Sequence, residues 1–226
     1  MTDIPAQPKL RRAVSAPVRA SHALLAVAFS VAYLTGDSDF WQTVHVAMGY
    51  TVLGVIVMRV LWGLVAARSE KPSVWASRAY ASATALKVTV SSWFRAPTLP
   101  VGGLEKVAQH VVNLSIVVLL LALLGASVSG YVMTLEWRMG WLEDALSETH
   151  ELFSTACVVA LCVHLGGVLA LVFYRGSAWP MRMWHGRLAG NGPDLIKRNA
   201  LWVAALMSLV TAAFWVAGIA GWVSVV

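Results

Sequence analysis

The chain has 226 residues, 58% of them hydrophobic and 12% charged, with mean hydropathy +0.70 and a formal net charge of +6. Soluble domains carry about 25% charged residues, so the composition excludes an ordinary soluble enzyme and indicates a protein that crosses a membrane several times. The basic balance does not indicate a nucleic-acid partner, because the charges are segregated along the chain in the pattern of membrane topology.

Five apolar stretches are long enough to span a bilayer: residues 18–34, 41–67, 107–133, 150–174 and 201–226. The first follows basic residues as a signal peptide would, but no small-residue cleavage site succeeds it, and it is expected to stay as a span. Residues 1–17 read as a polar, poorly ordered cytoplasmic tail. The segment 68–106 is too long for a turn. Within it, residues 74–94 mix Trp75, Tyr80, Trp93 and Phe94 with Arg78 and Lys87, which predicts a helix lying at the inner interface. Pro97, Pro100 and Gly102-Gly103 then break the chain before the third span. Residues 134–148 read as an outer loop with Glu136, Glu143, Asp144 and Glu148, and residues 175–199 as a basic, turn-rich inner loop.

Fifteen of the seventeen Lys and Arg fall on alternate segments, in residues 9–19, 68–106 and 175–198. Asp37, Asp39 and the acids of 134–148 fall on the other set, with Arg138 their only base. The positive-inside rule then predicts a cytoplasmic N-terminus and an outer C-terminus. Cys157 and Cys162, five apart on one helix, cannot face each other and predict no disulfide. Covalent c-type haem is excluded, because no Cys-x-x-Cys-His occurs.

His150 and His164 lie 14 residues apart in the fourth span. On a helix that spacing returns to within about 40° of the same face and separates the rings by about 21 Å along the axis. His22 opens the first span and His45 the second. Alternating topology places His22 near the inner face and His45 near the outer one, so depth pairs His45 with His150 and His22 with His164. Each pair supplies what a low-spin b-type haem needs, two axial imidazoles from facing helices. A zinc or proton-relay site and plain helix packing are the other readings of intramembrane histidines, but zinc wants a tetrahedral cluster and these residues come in twos. Arg59, 14 residues after His45, shares its face at the inner depth and suits the carboxylates of a haem propionate.

These residues resemble the bacterial cytochrome b561 family, which includes the b-type cytochrome subunits of nickel-iron hydrogenases and formate dehydrogenases. The resemblance rests on Ala20-Ser-His22-Ala, on Val44-His45-Val-Ala-Met-Gly49-Tyr50 with Arg59-Val-Leu-Trp62, on His110, on Gly130-Tyr131, and on Thr149-His150-Glu151 through Val163-His164. It covers about residues 19–187. It implies that His22 and His164 ligate an inner haem b, and His45 and His150 an outer one. It also implies quinone handling near the inner haem, which makes His110, beside Gln109 and Asn113, a candidate quinone contact. His185 is expected to be solvent-exposed or interfacial. The chain departs from the family in its fifth span and its enlarged inner segment.

The expected architecture is an all-α integral membrane protein. A di-haem bundle occupies residues 18–190, with the interfacial segment 68–106 inside it, and residues 191–226 add a C-terminal fifth transmembrane helix. The expected function is to carry electrons across the bacterial inner membrane between the quinone pool and a periplasmic partner: a redox protein, a cytochrome c, or a dehydrogenase or hydrogenase subunit. The alternatives are a stand-alone quinone reductase oxidising superoxide or another small donor, and a haem-free membrane anchor. Lipid is an expected partner, nucleic acid is not, and oligomeric state stays open.

Overall fold

Hydrophobic runs of this length bury their backbone polar groups most cheaply as helices, because a bilayer offers no water to an unpaired N–H or C=O. The computed structural model describes residues 9–95, 102–135, 140–190 and 192–219. Among these it is almost wholly helical: α1 (Ala16–Thr35), α2 (Gln42–Val65), α3 (Pro72–Arg95), α4 (Gly103–Met133), α5 (Gly140–Arg175), α6 (Ala178–His185) and α7 (Leu201–Ile219). Five helical stretches are long and apolar enough to cross a membrane, and α3 and α6 are not among them. The expected break at Pro97 and Pro100, the loop residues Glu136 and Arg138, and the last residues of the fifth span lie outside the described residues.

α4 and α5 form the most extensive contact, α1 packs along α2, and α2 closes onto α4. Small residues permit this approach. A Cβ at Gly125 would come within 2.6 Å of the Phe153 ring, and one at Gly167 within 2.7 Å of Val112. α3 lies against α4 through Ser82, which is 2% exposed, while its Tyr80 and Phe94 stay outward. α7 lies on α1 and α2, with the Trp215 indole donating to the Thr51 hydroxyl at 2.8 Å.

Two expectations are corrected. In the segment before the first span, residues 9–17 are ordered. β1 (Leu10–Arg12) pairs antiparallel with β2 (Arg187–Ala189), Arg11 opposite Leu188. Ala13 and Val14 then donate to the Gly186 carbonyl, and Leu195 to that of Arg12. Ser15 and Pro17 are buried beneath this cap. The polar composition of the segment is real, but its backbone groups find partners about 175 residues away, which local composition does not record. Second, residues 140–148 are not loop but the start of α5, whose 36 residues span about 54 Å, far beyond a hydrocarbon core of about 30 Å. Acidic residues end the apolar run there without ending the helix, since Leu, Glu and Ala are good helix formers in water.

Candidate functional site

His45 stands in the first turn of α2, directly after the turn that reverses the chain from α1. The last carbonyls of a helix lack intrahelical partners, and Ala32, at the end of α1, uses its own to accept from His45 Nδ1 at 2.8 Å. His150, on α5, makes the same bond across to α4, with Nδ1 2.9 Å from the Ala126 carbonyl and Ser129 Oγ at 3.3 Å. A carbonyl only accepts, so both Nδ1 atoms carry the proton and both Nε2 atoms keep a free lone pair. The two rings approach edge-on, with centroids 6.0 Å apart and planes at 75°. Gly130 makes room for this on the α4 side: a Cβ there would lie 3.1 Å from the His150 ring.

At the other end of the bundle, His164 Nδ1 lies 3.1 Å from Ser115 Oγ. The serine hydroxyl donates to the Val112 carbonyl at 2.9 Å, so toward His164 it can only accept. His164 therefore also holds its proton on Nδ1 and leaves Nε2 free. It lies within electrostatic reach of His22 on α1, as His150 does of His45. Between the two pairs is a dry layer of Ala28, Val52, Ile56, Ala122, Leu123 and Cys157. Cys157 is seven residues from each α5 histidine and fully buried. Both cysteines are free thiols. Among the described residues no three His, Cys, Asp or Glu side chains converge as a metal cluster.

Arg59 is 7% exposed and stacks over the Trp75 ring at 4.0 Å. Two of its nitrogens reach the Glu70 carbonyl at 3.4 Å. Glu70 itself escaped the sequence reading, as one acid in a basic segment. It is 6% exposed, and its carboxylate accepts from the Ser15 amide and hydroxyl, both at 2.9 Å, and from the Trp62 indole at 3.1 Å. Ser115 and Ser129 also escaped it, because nothing local distinguishes them from the other serines of α4.

His110 sits on a polar chain that joins three helices. Its Nδ1 is 3.2 Å from Ser82 Oγ on α3, which also accepts from Asn113 at 3.3 Å. Asn113 accepts from Gln109 at 3.0 Å, and Gln109 accepts from Arg175 of α5 at 2.6 Å. Arg175 pairs with Glu105 at 2.7 Å. His185 is exposed as expected, its Nδ1 accepting from the Arg187 amide at 3.1 Å.

No curated protein and no solved structure matches the chain. The family model described as prokaryotic cytochrome b561 matches residues 13–186, from the end of β1 to the close of α6 and short of α7. With five helices among the described residues long and apolar enough to span, and His45 brought against His150, the chain belongs to the prokaryotic cytochrome b561 family, multi-pass inner-membrane b-type cytochromes that bind haem b and transfer electrons.

Proposed function

We propose that this chain is a di-haem cytochrome, with His45 and His150 the axial ligands of an outer haem b and His22 and His164 those of an inner one. The carrying observation is the set of three Nδ1 hydrogen bonds, which leave the Nε2 atoms of His45, His150 and His164 as free donors. Metal-ligating histidines need this outer hydrogen bond to fix ring and tautomer. Two imidazoles that would share one metal, each nitrogen at about 2 Å, would have ring centroids no more than about 6 Å apart. The His45–His150 separation of 6.0 Å fits that arrangement. When bound, the two haems supply reversible one-electron carriage. The protein's part is to orient the imidazoles and, through the layer around Cys157, to keep water out between the pairs. Arg59 keeps N–H donors beyond its two long contacts, and these suit a propionate of the inner haem. In this reading α1, α2, α4 and α5 are the haem-binding bundle, α3 lies at the inner interface, and α7 is an added fifth span.

Pyridine haemochrome absorbance against protein concentration should give two non-covalent haems per chain; a ratio near one would sink the di-haem reading. The segregated basic residues support a cytoplasmic N-terminus and a periplasmic C-terminus, so a C-terminal alkaline phosphatase fusion should be active.

Electrons then pass between the quinone pool at the inner end and a periplasmic partner at the outer end. The chain from His110 through Ser82 and Asn113 supports the first, since it offers a quinone oxygen polar groups beside the inner pair. The acidic first turns of α5, with Glu143, Asp144 and Glu148, support docking of a basic redox protein. His110→Ala should slow electron exchange with a soluble quinone analogue in stopped flow while both haems stay bound. Reversing the three acids should weaken only exchange with a basic outer donor, and less so at high salt. Normal quinone kinetics in His110→Ala would retire that residue.

A further inference from the structure

At the end of the bundle that carries the N-terminal cap, immediately after the apolar run of α5, a cavity of about 450 Å³ opens between α5, α6 and the two-stranded sheet. Arg175, Trp179, Arg182, His185, Arg187 and Leu10 contribute to its lining. The Arg182 guanidinium lies over the Trp179 ring, 4.0 Å from its centroid, and Arg175 lies over the same ring at 5.8 Å. Trp179 is 7% exposed and anchored in a small core with Ala108, Val112 and Leu171, so the cationic wall is built on rigid packing.

The charge there does not balance. Arg175 has Glu105 as partner, but among the described residues no carboxylate lies within 4.0 Å of Arg182. Burial first, and then the like charges of Arg175 and Arg78, push the Arg182 guanidinium below the usual arginine range. Arg187 adds a further cation from β2. Cations gathered this way repel one another unless an anion joins them, and Arg presents a fork suited to phosphate oxygens. None of these residues takes part in the histidine pairs, and only Arg175 reaches the chain leading to His110, through its bond to Gln109.

We propose that this cavity is a binding site for the phosphodiester headgroup of an anionic phospholipid, held by Arg182 and Arg187 with Trp179 as its floor. Depth selects a lipid over a soluble phosphate. Arg175 directly follows the apolar run that ends at Tyr174, which puts the cavity at the hydrocarbon boundary, where headgroups reside. A basic pocket at the end of spanning helices is the arrangement that captures such headgroups.

The test uses the haem-loaded protein in lipid nanodiscs of phosphatidylcholine with or without phosphatidylglycerol, with retained lipid counted by native mass spectrometry. The wild type should keep one phosphatidylglycerol in preference to phosphatidylcholine. Arg182→Gln should weaken that retention about fivefold, as expected for loss of one interfacial cation worth about 1 kcal/mol, and Arg182→Lys should largely preserve it. Arg187→Gln, at an exposed position, should weaken it in the same direction and serves if Arg182→Gln does not fold. Equal retention of both lipids, or undiminished retention in both Gln variants, would overturn the proposal. Displacement of the lipid by millimolar inorganic phosphate would assign the cavity to a soluble anion instead. Loss of haem from well-folded Arg182→Gln would assign these cations to a propionate, and would likewise overturn it.

Discussion

His45→Ala or His150→Ala should each leave a protein with about half the wild-type haem, its remaining spectrum that of the inner site, while His22→Ala or His164→Ala should leave the outer one. The layer between the pairs offers no second imidazole to replace a lost one, since its side chains are apolar apart from the Cys157 thiol and the Met48 thioether. The pairs are about 21 Å apart along α5, so loss at one leaves the other's ligands untouched. A graded version separates ligand from support. Ser115→Ala removes the acceptor of His164 Nδ1 but keeps the ring, and loss of such an outer-shell partner typically costs about ten- to a hundredfold in metal affinity. Haem should therefore wash out of the inner site alone. Gly130→Val should disturb only the outer site, since its side chain would enter the space of the His150 ring. Optical and EPR spectra of membranes bearing each variant report both sites at once. Two intact low-spin signals in His22→Ala, or loss of the outer signal in Ser115→Ala, would refute the pairing.

The spacing from His150 to His164 was legible because helix geometry turns a sequence interval into depth and direction, and depth alone put His45 beside His150. The spans were legible because a bilayer imposes length and apolarity. What stayed hidden was chemistry supplied by the backbone or by distant chain. The acceptors for His45 and His150 are the carbonyls of Ala32 and Ala126, and any residue there would offer the same group. Ser115 gains its role only from lying across from His164. The helical start of α5 was read as loop because hydropathy reports where the bilayer ends, and a helix can run on past it. The ordering of residues 9–17 depends on β2 and on Glu70, neither of which is near in sequence.

Glu70 has the largest expected effect outside the histidines. Its carboxylate takes three hydrogen bonds at 2.9 to 3.1 Å, two from Ser15 ahead of α1 and one from Trp62 near the end of α2. Its backbone carbonyl receives both terminal nitrogens of the buried Arg59. Glu70→Ala removes the negative charge beside that cation and strands the Ser15 amide in a buried position, where an unmade bond to a charged acceptor is expensive. Breaking a buried charged cluster from one side costs about 3 kcal/mol or more. The loss should be local, because the cap is tied down by Ser15 and the two-stranded sheet while the bundle has its own core. Residues 9–15 should thus become open to trypsin at Arg11 and Arg12, which are half-buried in the folded cap. Glu70→Gln separates the terms: its amide oxygen can still accept from Ser15 while the charge beside Arg59 is gone. It should keep most of the protease resistance. If Arg59 also serves the inner haem, both variants should loosen that haem while the outer one stays. Unchanged tryptic cleavage in Glu70→Ala would show that the cap is held by the sheet alone, and unchanged inner-haem retention in both variants would separate Glu70 from the haem site.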